Sequence, residues 1–150
     1  MSNEFKFAIC YPENWQFSRF PEQTIYGAAA DLESAEMIGL IRNVNIVSSD
    51  ISHLGTGELD KLYEAGTAFV LSVTPKAELI FDEDFLLLGI DANRHLVHWE
   101  SNLGEKMALY QISVTDEFKK KLYVISFTTT QEDFNTSKSL FDDIIATLRV

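Results

Sequence analysis

The second half of the chain repeats one short pattern, in which apolar side chains alternate with other residues between turn-forming segments. A side-chain period of two is typical of β-strands that bury one face. The pattern predicts strands at 77–81, 85–90, 95–101, 107–115 and 122–130, with turns at 82–84, 91–94, 102–104 and 116–120. Because strands so close in sequence pair with their neighbours, we expect an antiparallel meander.

The first half of the chain also contains strand patterns. Residues 5–11 alternate and stop at Pro12, which cannot donate a ladder hydrogen bond. The segment YPENW therefore predicts a strand end, a tight turn, and a Trp15 ring that packs back onto the sheet. Further strands are predicted at 24–29 and 38–51, the second with a bulge at Arg42 and Asn43.

Two amphipathic helices are predicted. The first covers 58–73, with Thr56 as N-cap and an apolar side formed by Leu59, Leu62, Tyr63, Phe69, Val70 and Val73. The second follows Thr130, where TQED places the Asp133 carboxylate to bond the cap amide, and runs to the chain end. We expect both helices to cover the apolar face of the sheet. The predicted fold class is α+β, an antiparallel sheet packed with two main helices in one domain, 1–150.

Charge narrows the classes of partner. The formal net charge is −11, and no basic patch offsets it. Such a field repels DNA and anionic membrane surfaces, so nucleic-acid and membrane partners are not expected, whereas basic or neutral proteins are compatible. The single cysteine, Cys10, excludes an internal disulfide, and no stretch of ~20 apolar residues is present. The segment MSNEFKF has neither a basic start nor an apolar stretch of signal length, so we expect no leader. We expect a soluble, cytoplasmic protein.

No spacing of reactive residues predicts catalysis, and no catalytic residue, metal site or cofactor is assigned. His95 and His98 point to opposite sides of a strand, which disfavours a shared metal site. The segment 55–57 has two glycines before a helix, as phosphate-binding loops do. It lacks the full GxGxxG spacing, and the neighbouring Glu58 and Asp60 would repel an anion.

Strand parity divides the sheet residues into two faces. One face is apolar throughout, while the other mixes apolar and polar side chains. The mixed face is either a solvated sheet surface, which antiparallel sheets allow, or a groove for a protein partner. For a groove, on an assumed strand register, the predicted partner-binding residues are Asn45, Leu96, His98, Glu100, Leu109, Gln111, Ser113 and Val124.

Several segments together resemble the PsbP-like family. They are the opening strand that ends in YPENW, followed by NVNIV, ELDKLYEAG, LYVISFTTT and FDDIIATL, and they extend over nearly the whole chain. The resemblance implies an antiparallel sheet between helices, an α/β/α sandwich. The family includes the extrinsic subunit of photosystem II, a Ran-binding nuclear import factor, and cytosolic bacterial chaperones for membrane segments of type VI secretion effectors.

The function that this resemblance implies is binding rather than catalysis. We expect a non-catalytic cytosolic protein-binding or adaptor protein that uses a sheet face or groove on an unidentified protein partner. One alternative is an effector-associated chaperone that binds hydrophobic helices. Another is a small-molecule binder or enzyme with a pocket between sheet and helix. Self-association into a homodimer is left open.

Overall fold

The fold is built around one antiparallel sheet. The computed structural model describes residues 11–19, 25–34, 42–59, 61–118 and 120–149. Within them, seven strands follow the order β1-β2-β3-β7-β6-β5-β4. The strands are β1 Gln16–Arg19, β2 Ile25–Asp31, β3 Arg42–Asp50, β4 Glu78–Leu87, β5 Ile90–Glu100, β6 Lys106–Asp116 and β7 Lys121–Thr130. The strand predicted at 5–11 lies outside the described residues except for Tyr11.

The predicted meander is present, each strand pairing antiparallel with the next. It has four strands, β4 to β7, rather than the predicted five, because the strands predicted at 77–81 and 85–90 are joined in β4. Two of its predicted turns are wrong. The chain reverses at Leu88 and Gly89, both of which have positive φ, at 53° and 81°. Residues 82–84 and 91–94 lie inside β4 and β5 instead. The predicted bulge at Arg42 and Asn43 is also wrong, since that register is continuous and the irregularity lies between Ile25 and Gly27 of β2.

The acidic segment of β4 stays extended because its carboxylates have partners on β5. The Asn93 side-chain amide donates to Asp82 at 2.7 Å and to Asp84 at 3.0 Å. The Arg94 guanidinium donates to Glu83 at 2.6 Å. Consecutive acids favour turns when judged alone, but here cross-strand hydrogen bonds outweigh that local preference.

Three helices are described, α1 Thr56–Leu59, α2 Leu62–Val73 and α3 Gln131–Ala146. The helix predicted at 58–73 thus corresponds to α1 and α2. Thr56 lies inside α1, and the Glu58 carboxylate accepts a hydrogen bond from the Gly55 N–H at 2.8 Å, so Thr56 is not the N-cap. Thr130 caps α3 as predicted, accepting from the Asp133 N–H at 3.1 Å, and α3 ends at Ala146 rather than at the last residue.

Helix α3 covers the apolar face of the sheet, which we call the core face. The ring of Phe141 lies 4.6 Å from that of Phe127, and the ring of Phe134 lies 5.6 Å from that of Tyr110. Trp15 is 5% exposed within the same core, and its backbone N–H donates to the Pro12 carbonyl at 3.0 Å. The YPENW prediction of a turn followed by a packed tryptophan is therefore confirmed.

Helix α2 lies on the opposite face of the sheet. Its Thr67 hydroxyl is 3.1 Å from His95 Nδ1, and its Tyr63 hydroxyl is 3.1 Å from the Thr115 hydroxyl. His95 and Thr115 alternate with core-face residues, so the prediction that both helices cover the apolar face is wrong. Tyr63 and Thr67 pack there because their hydroxyls pair with polar groups of that face. Helices on both faces form the α/β/α arrangement, and the α+β fold class is confirmed.

A buried ion pair connects β3 to the first turn of α3. The Arg42 guanidinium contacts both oxygens of the Asp133 carboxylate, at 2.7 and 2.6 Å, and also reaches Asp31 at 3.2 Å. Hydroxyls of Thr129 and Ser137 donate to the same carboxylate. These partners replace the predicted bond from Asp133 to the cap amide. The Arg42 hydrogen bonds lower the pKa of Asp133 to about 2 despite burial.

We predict that Asp133→Asn lowers the free energy of unfolding at pH 7 by about 2–4 kcal/mol, because it leaves Arg42 without its main anionic partner. The pKa of Asp133 is lower in the folded chain, so the stabilisation is complete above pH ~4 and is lost as the pH falls toward 2. Urea unfolding at pH 7, 4 and 2.5 measures this. The matched control is Asp143→Asn, at an exposed position of α3. Equal losses in both variants would contradict the assignment.

A second prediction concerns the β4–β5 turn. Leu88 has a left-handed backbone, which asparagine and glycine tolerate better than leucine, and its side chain is 57% exposed. We expect Leu88→Asn to raise the free energy of unfolding by about 0.5–1 kcal/mol. The control is Leu103→Asn, at an exposed turn position without positive φ. The idea fails in denaturant titrations if both changes have the same effect.

Candidate functional site

The side chains of β3, β7 and β6 that point away from α3 form a continuous surface beside α2. We call it the open face. The pairing register places its members in rows across the three strands. Most of them are half-buried and partly accessible to a partner, whereas Met107 and Ser126 are buried. The members are Asn43, Asn45, Val47, Ser49, Met107, Leu109, Gln111, Ser113, Thr115, Leu122, Val124, Ser126, Thr128 and Thr130.

The open face carries no charged side chain, although 23% of all residues in the chain are charged. Its members are aliphatic, hydroxyl or amide residues. The core face of the same strands is apolar along most of its length and ends in charges, with Asp116 opposite Lys121. Solvated sheet surfaces normally carry charges, which keep them soluble and unpaired. A charge-free surface resembles the centre of a protein interface instead.

One flank of α2 carries exposed apolar side chains. Phe69 is 65% exposed and Val73 is 60% exposed, and both share a side of the helix with Leu62 and Ala65. Leu62 and Ala65 also line a cleft of about 680 Å³ together with Leu54, which follows β3 in the chain, and with the charged residues Glu58 and Lys61. The prediction that Phe69 and Val73 pack on the buried side of the helix is wrong.

A row of hydrogen bonds crosses the sheet beneath α2. His95 Nε2 is 2.8 Å from Gln111 Oε1, and Gln111 Nε2 donates to the Ser126 hydroxyl at 2.8 Å. The Thr67 hydroxyl completes the row at His95 Nδ1. Burial lowers the pKa of His95, which favours the neutral ring with Nε2 as donor and Nδ1 as acceptor. This row fixes α2 against the sheet and orients the Gln111 side chain.

Five of the eight predicted partner-binding residues share the open face. Gln111 lies opposite Ser126, which lies opposite Asn45, and Ser113 lies opposite Val124. Leu109 is on the same side of β6, two residues from Gln111. These are Asn45, Leu109, Gln111, Ser113 and Val124, and all five are half-buried. Their role in partner binding stays a prediction.

The other three residues lie on the core-face side of β5, so the register assumed for them is wrong. Leu96 is opposite Tyr110 and only 4% exposed, which removes it from contact with a partner. His98 is opposite Ala108. Glu100 contacts Lys106 at 2.6 Å and Lys76 at 3.0 Å, and these pairs lower its pKa to about 2. A shift of one residue moves every side chain of a strand to the other face.

Sequence reasoning missed the residues that complete the site. His95 pairs with Gln111 through the true register, which alternation within one strand does not reveal. Phe69 and Val73 were noticed as apolar, yet helical spacing alone cannot tell a buried side from an exposed one. The sequence feature that could have predicted the packing of α2 on a polar sheet face is the pair Tyr63 and Thr67, two hydroxyl residues on one side of the helix.

The described residues offer little for metal chemistry. No group of three or more His, Cys, Asp or Glu side chains among them could hold a metal ion. A cleft of about 510 Å³ opens at the end of the β4–β5 hairpin, lined on its polar side by Tyr63, Asp84, Asp91 and Glu117. Cys10 lies outside the described residues. No helix in the described ranges is long and apolar enough to cross a membrane.

Comparison with known proteins confirms the fold. No protein-family model and no curated protein sequence matches the chain. Three similar solved structures are the cyanobacterial PsbP (CyanoP) of Synechocystis sp. PCC 6803, LpqN of Mycobacterium tuberculosis, which is involved in cell envelope biogenesis, and the Ran-binding protein Mog1p of Saccharomyces cerevisiae.

The similarity extends over nearly the whole chain. CyanoP superposes with a TM-score of 0.72 at 19% identity, covering 99% of this chain and 89% of its own. LpqN has a TM-score of 0.68 at 14% identity, covering 95% and 81%. Mog1p has a TM-score of 0.61 at 10% identity, covering 99% and 92%. The chain therefore has the PsbP-like fold, as its sequence resemblance implied. Identities this low show the fold and not a function.

We predict that Gln111→Met lowers the free energy of unfolding by about 1–3 kcal/mol, because buried His95 and Ser126 each lose a hydrogen-bond partner. Denaturant unfolding of the purified variant measures the change. The control is Ser113→Ala, two residues along the same strand face, which we expect to change stability by about 0.5 kcal/mol or less. Similar losses in both variants would show that the row does not stabilise the fold.

Proposed function

We propose that this protein is a non-catalytic, cytoplasmic protein-binding protein, an adaptor whose partner docks on the open face and the adjoining flank of α2. The observation that carries the proposal is the absence of charge on the open face of a chain with a net charge of −11. Charged side chains are depleted at the centres of interfaces, where desolvating them is costly. A sheet surface that stays solvated avoids this desolvation cost and can carry charged side chains.

The exposed side chains add apolar anchors to this surface. Phe69 and Val73 are exposed on α2. On the sheet, Val47 and Val124 lie directly opposite each other. Aromatic and aliphatic anchors next to hydrogen-bonding groups are typical of interface centres. Asn45, Ser113 and Thr128 supply such groups on the sheet. The partner surface that fits is uncharged and largely apolar.

The fold offers a precedent for protein binding. Mog1p, which shares this fold, is a Ran-binding protein. At 10% identity this likeness supports a binding role without identifying the partner of this chain. The proposal therefore depends on the surface chemistry described above.

A second candidate function is that of a chaperone for a hydrophobic helix, as in the effector-associated chaperones of type VI secretion. The open face consists of three strands of about ten residues at ~4.8 Å spacing, so it is roughly 15 Å wide and 30 Å long. A helix of ~20 residues is about 30 Å long and 10–12 Å wide. The surface of these three strands thus matches one apolar helix in size.

We predict that Phe69→Asp reduces capture of the native partner about tenfold, because it places a charge on the exposed apolar flank of α2 within the proposed contact surface. The immobilised chain and its variant are incubated with host lysate, and bound proteins are quantified by mass spectrometry. The captured partner is then purified and its affinity measured by calorimetry. The matched control is Phe118→Asp, since Phe118 is 97% exposed in the β6–β7 turn, outside the open face.

The outcomes separate the candidates. Loss of binding in Phe69→Asp but not in Phe118→Asp supports the open face, and equal behaviour of the two variants refutes it. Binding of a synthetic uncharged Leu-Ala helix of ~20 residues would favour the chaperone function. If sedimentation shows a dimer that Phe69→Asp dissociates, and no partner is captured, the open face is a self-interface and the adaptor proposal is wrong.

A further inference from the structure

The outer edge of β4 is a second surface with defined chemistry, separate from the open face. No described strand pairs with β4 beyond β5. Phe81–Leu87 pairs with β5 in unbroken register, and a bulge lies between Leu79 and Phe81. Most β4 side chains are exposed. A long unpaired strand edge is a template for one more strand unless some feature prevents pairing.

The hairpin geometry shows which backbone groups are free. In a two-residue hairpin the residues that flank the turn, here Leu87 and Ile90, exchange both hydrogen bonds, and bonding alternates from there. Phe85, Glu83 and Phe81 therefore bond inward to β5. The N–H and C=O groups of Leu86, Asp84 and Asp82 point outward, where an added strand would meet them.

The side chains along this edge are strongly acidic on one side. Asp82 and Asp84 share a sheet face, and each uses one oxygen to accept from the Asn93 amide. The second oxygen of each carboxylate has no hydrogen-bond partner among the described residues. On the other face, Phe81 and Phe85 are half-buried and flank Glu83, which bonds Arg94. The edge thus presents two carboxylates on one side and two aromatic rings on the other.

This arrangement disfavours pairing with a second copy of the chain. An antiparallel β4–β4 pair centred on Glu83 would place Asp82 opposite Asp84 twice and Glu83 opposite itself. Like charges directly opposite each other destabilise a strand pair, and the net charge of −11 adds to the repulsion. A basic strand would instead find its charges neutralised at those positions. The β4 edge therefore disfavours pairing with β4 of a second copy and favours a cationic segment.

We propose that the outer edge of β4 binds an extended basic polypeptide segment, which joins the sheet as an added strand. Its pattern is set by the edge: two Lys or Arg residues, two positions apart, opposite Asp82 and Asp84, flanked by apolar residues opposite Phe81 and Phe85. The residue between the two cations lies opposite Glu83. This site goes beyond the proposed adaptor function and does not depend on it.

The test uses the fluorescein-labelled peptide TVKTKVT and the full-length chain. Fluorescence anisotropy measures its Kd at low salt, and amide shifts in NMR spectra locate the site. We expect shifts concentrated in residues 81–87. Asp82→Asn with Asp84→Asn should weaken binding about five- to tenfold, because two cross-strand ion pairs are lost. Asparagine keeps an oxygen acceptor for Asn93, so the fold is retained.

Three controls define the result. Asp143→Asn removes one exposed acid from α3, and we expect its Kd to remain within about twofold of the unmodified chain. The peptide TVETEVT and the rearranged peptide TKVVKTT should bind at least about tenfold more weakly than TVKTKVT, since charge and alternation are respectively lost. Asp82→Lys with Asp84→Lys should reverse the preference toward TVETEVT.

Several outcomes would overturn the proposal. They are equal binding of the three peptides, amide shifts centred on the open face instead of on 81–87, and an unchanged Kd in the double asparagine variant. Failure to bind TVKTKVT at millimolar concentration would do the same. Each result leaves the Phe69→Asp experiment on the open face unaffected, so the two surfaces are tested separately.

Discussion

The pairing register of β5, β6, β7 and β3 is the constraint on which the rest of the structure depends. It places Tyr110 beside Leu96 and Phe127 on the core face, and Gln111 beside His95 and Ser126 on the other. Aromatic packing against α3 and the hydrogen-bonded row under α2 specify this register from both sides. A slip by one residue would bury Gln111 against α3 and expose Tyr110, so neither layer would tolerate it.

The described acidic side chains occupy positions in the fold where each has a charge partner or contact with water. Asp133 is buried where Arg42 and two hydroxyl groups neutralise and solvate it, which joins β3 to α3. The acids of β4 stand at the sheet edge, where water reaches them. The open face carries no charged side chain. A buried charge requires a partner of opposite charge or hydrogen-bond donors inside the fold. Charges at an exposed edge are solvated by water, and the centre of a protein interface is depleted of charge.

Much of the fold followed from the sequence because period-two and helical patterns are local. The β6 and β7 strands, the Thr130 cap of α3 and the packing of Trp15 were predicted correctly. The turn expected at 82–84 was wrong because cross-strand contacts to Asn93 and Arg94 hold those acids extended. The N-cap expected at Thr56 was wrong because α1 begins one residue after Gly55, whose amide bonds Glu58.

The sequence by itself determined which residues alternate and where apolar side chains must be buried. Only the tertiary structure decided which faces of different strands coincide, and it moved Leu96, His98 and Glu100 away from Gln111. It also decided that α2 packs through Tyr63 and Thr67, leaving Phe69 and Val73 exposed. The physical reason is that alternation is a property of one strand, whereas register and helix placement arise from interactions between distant segments.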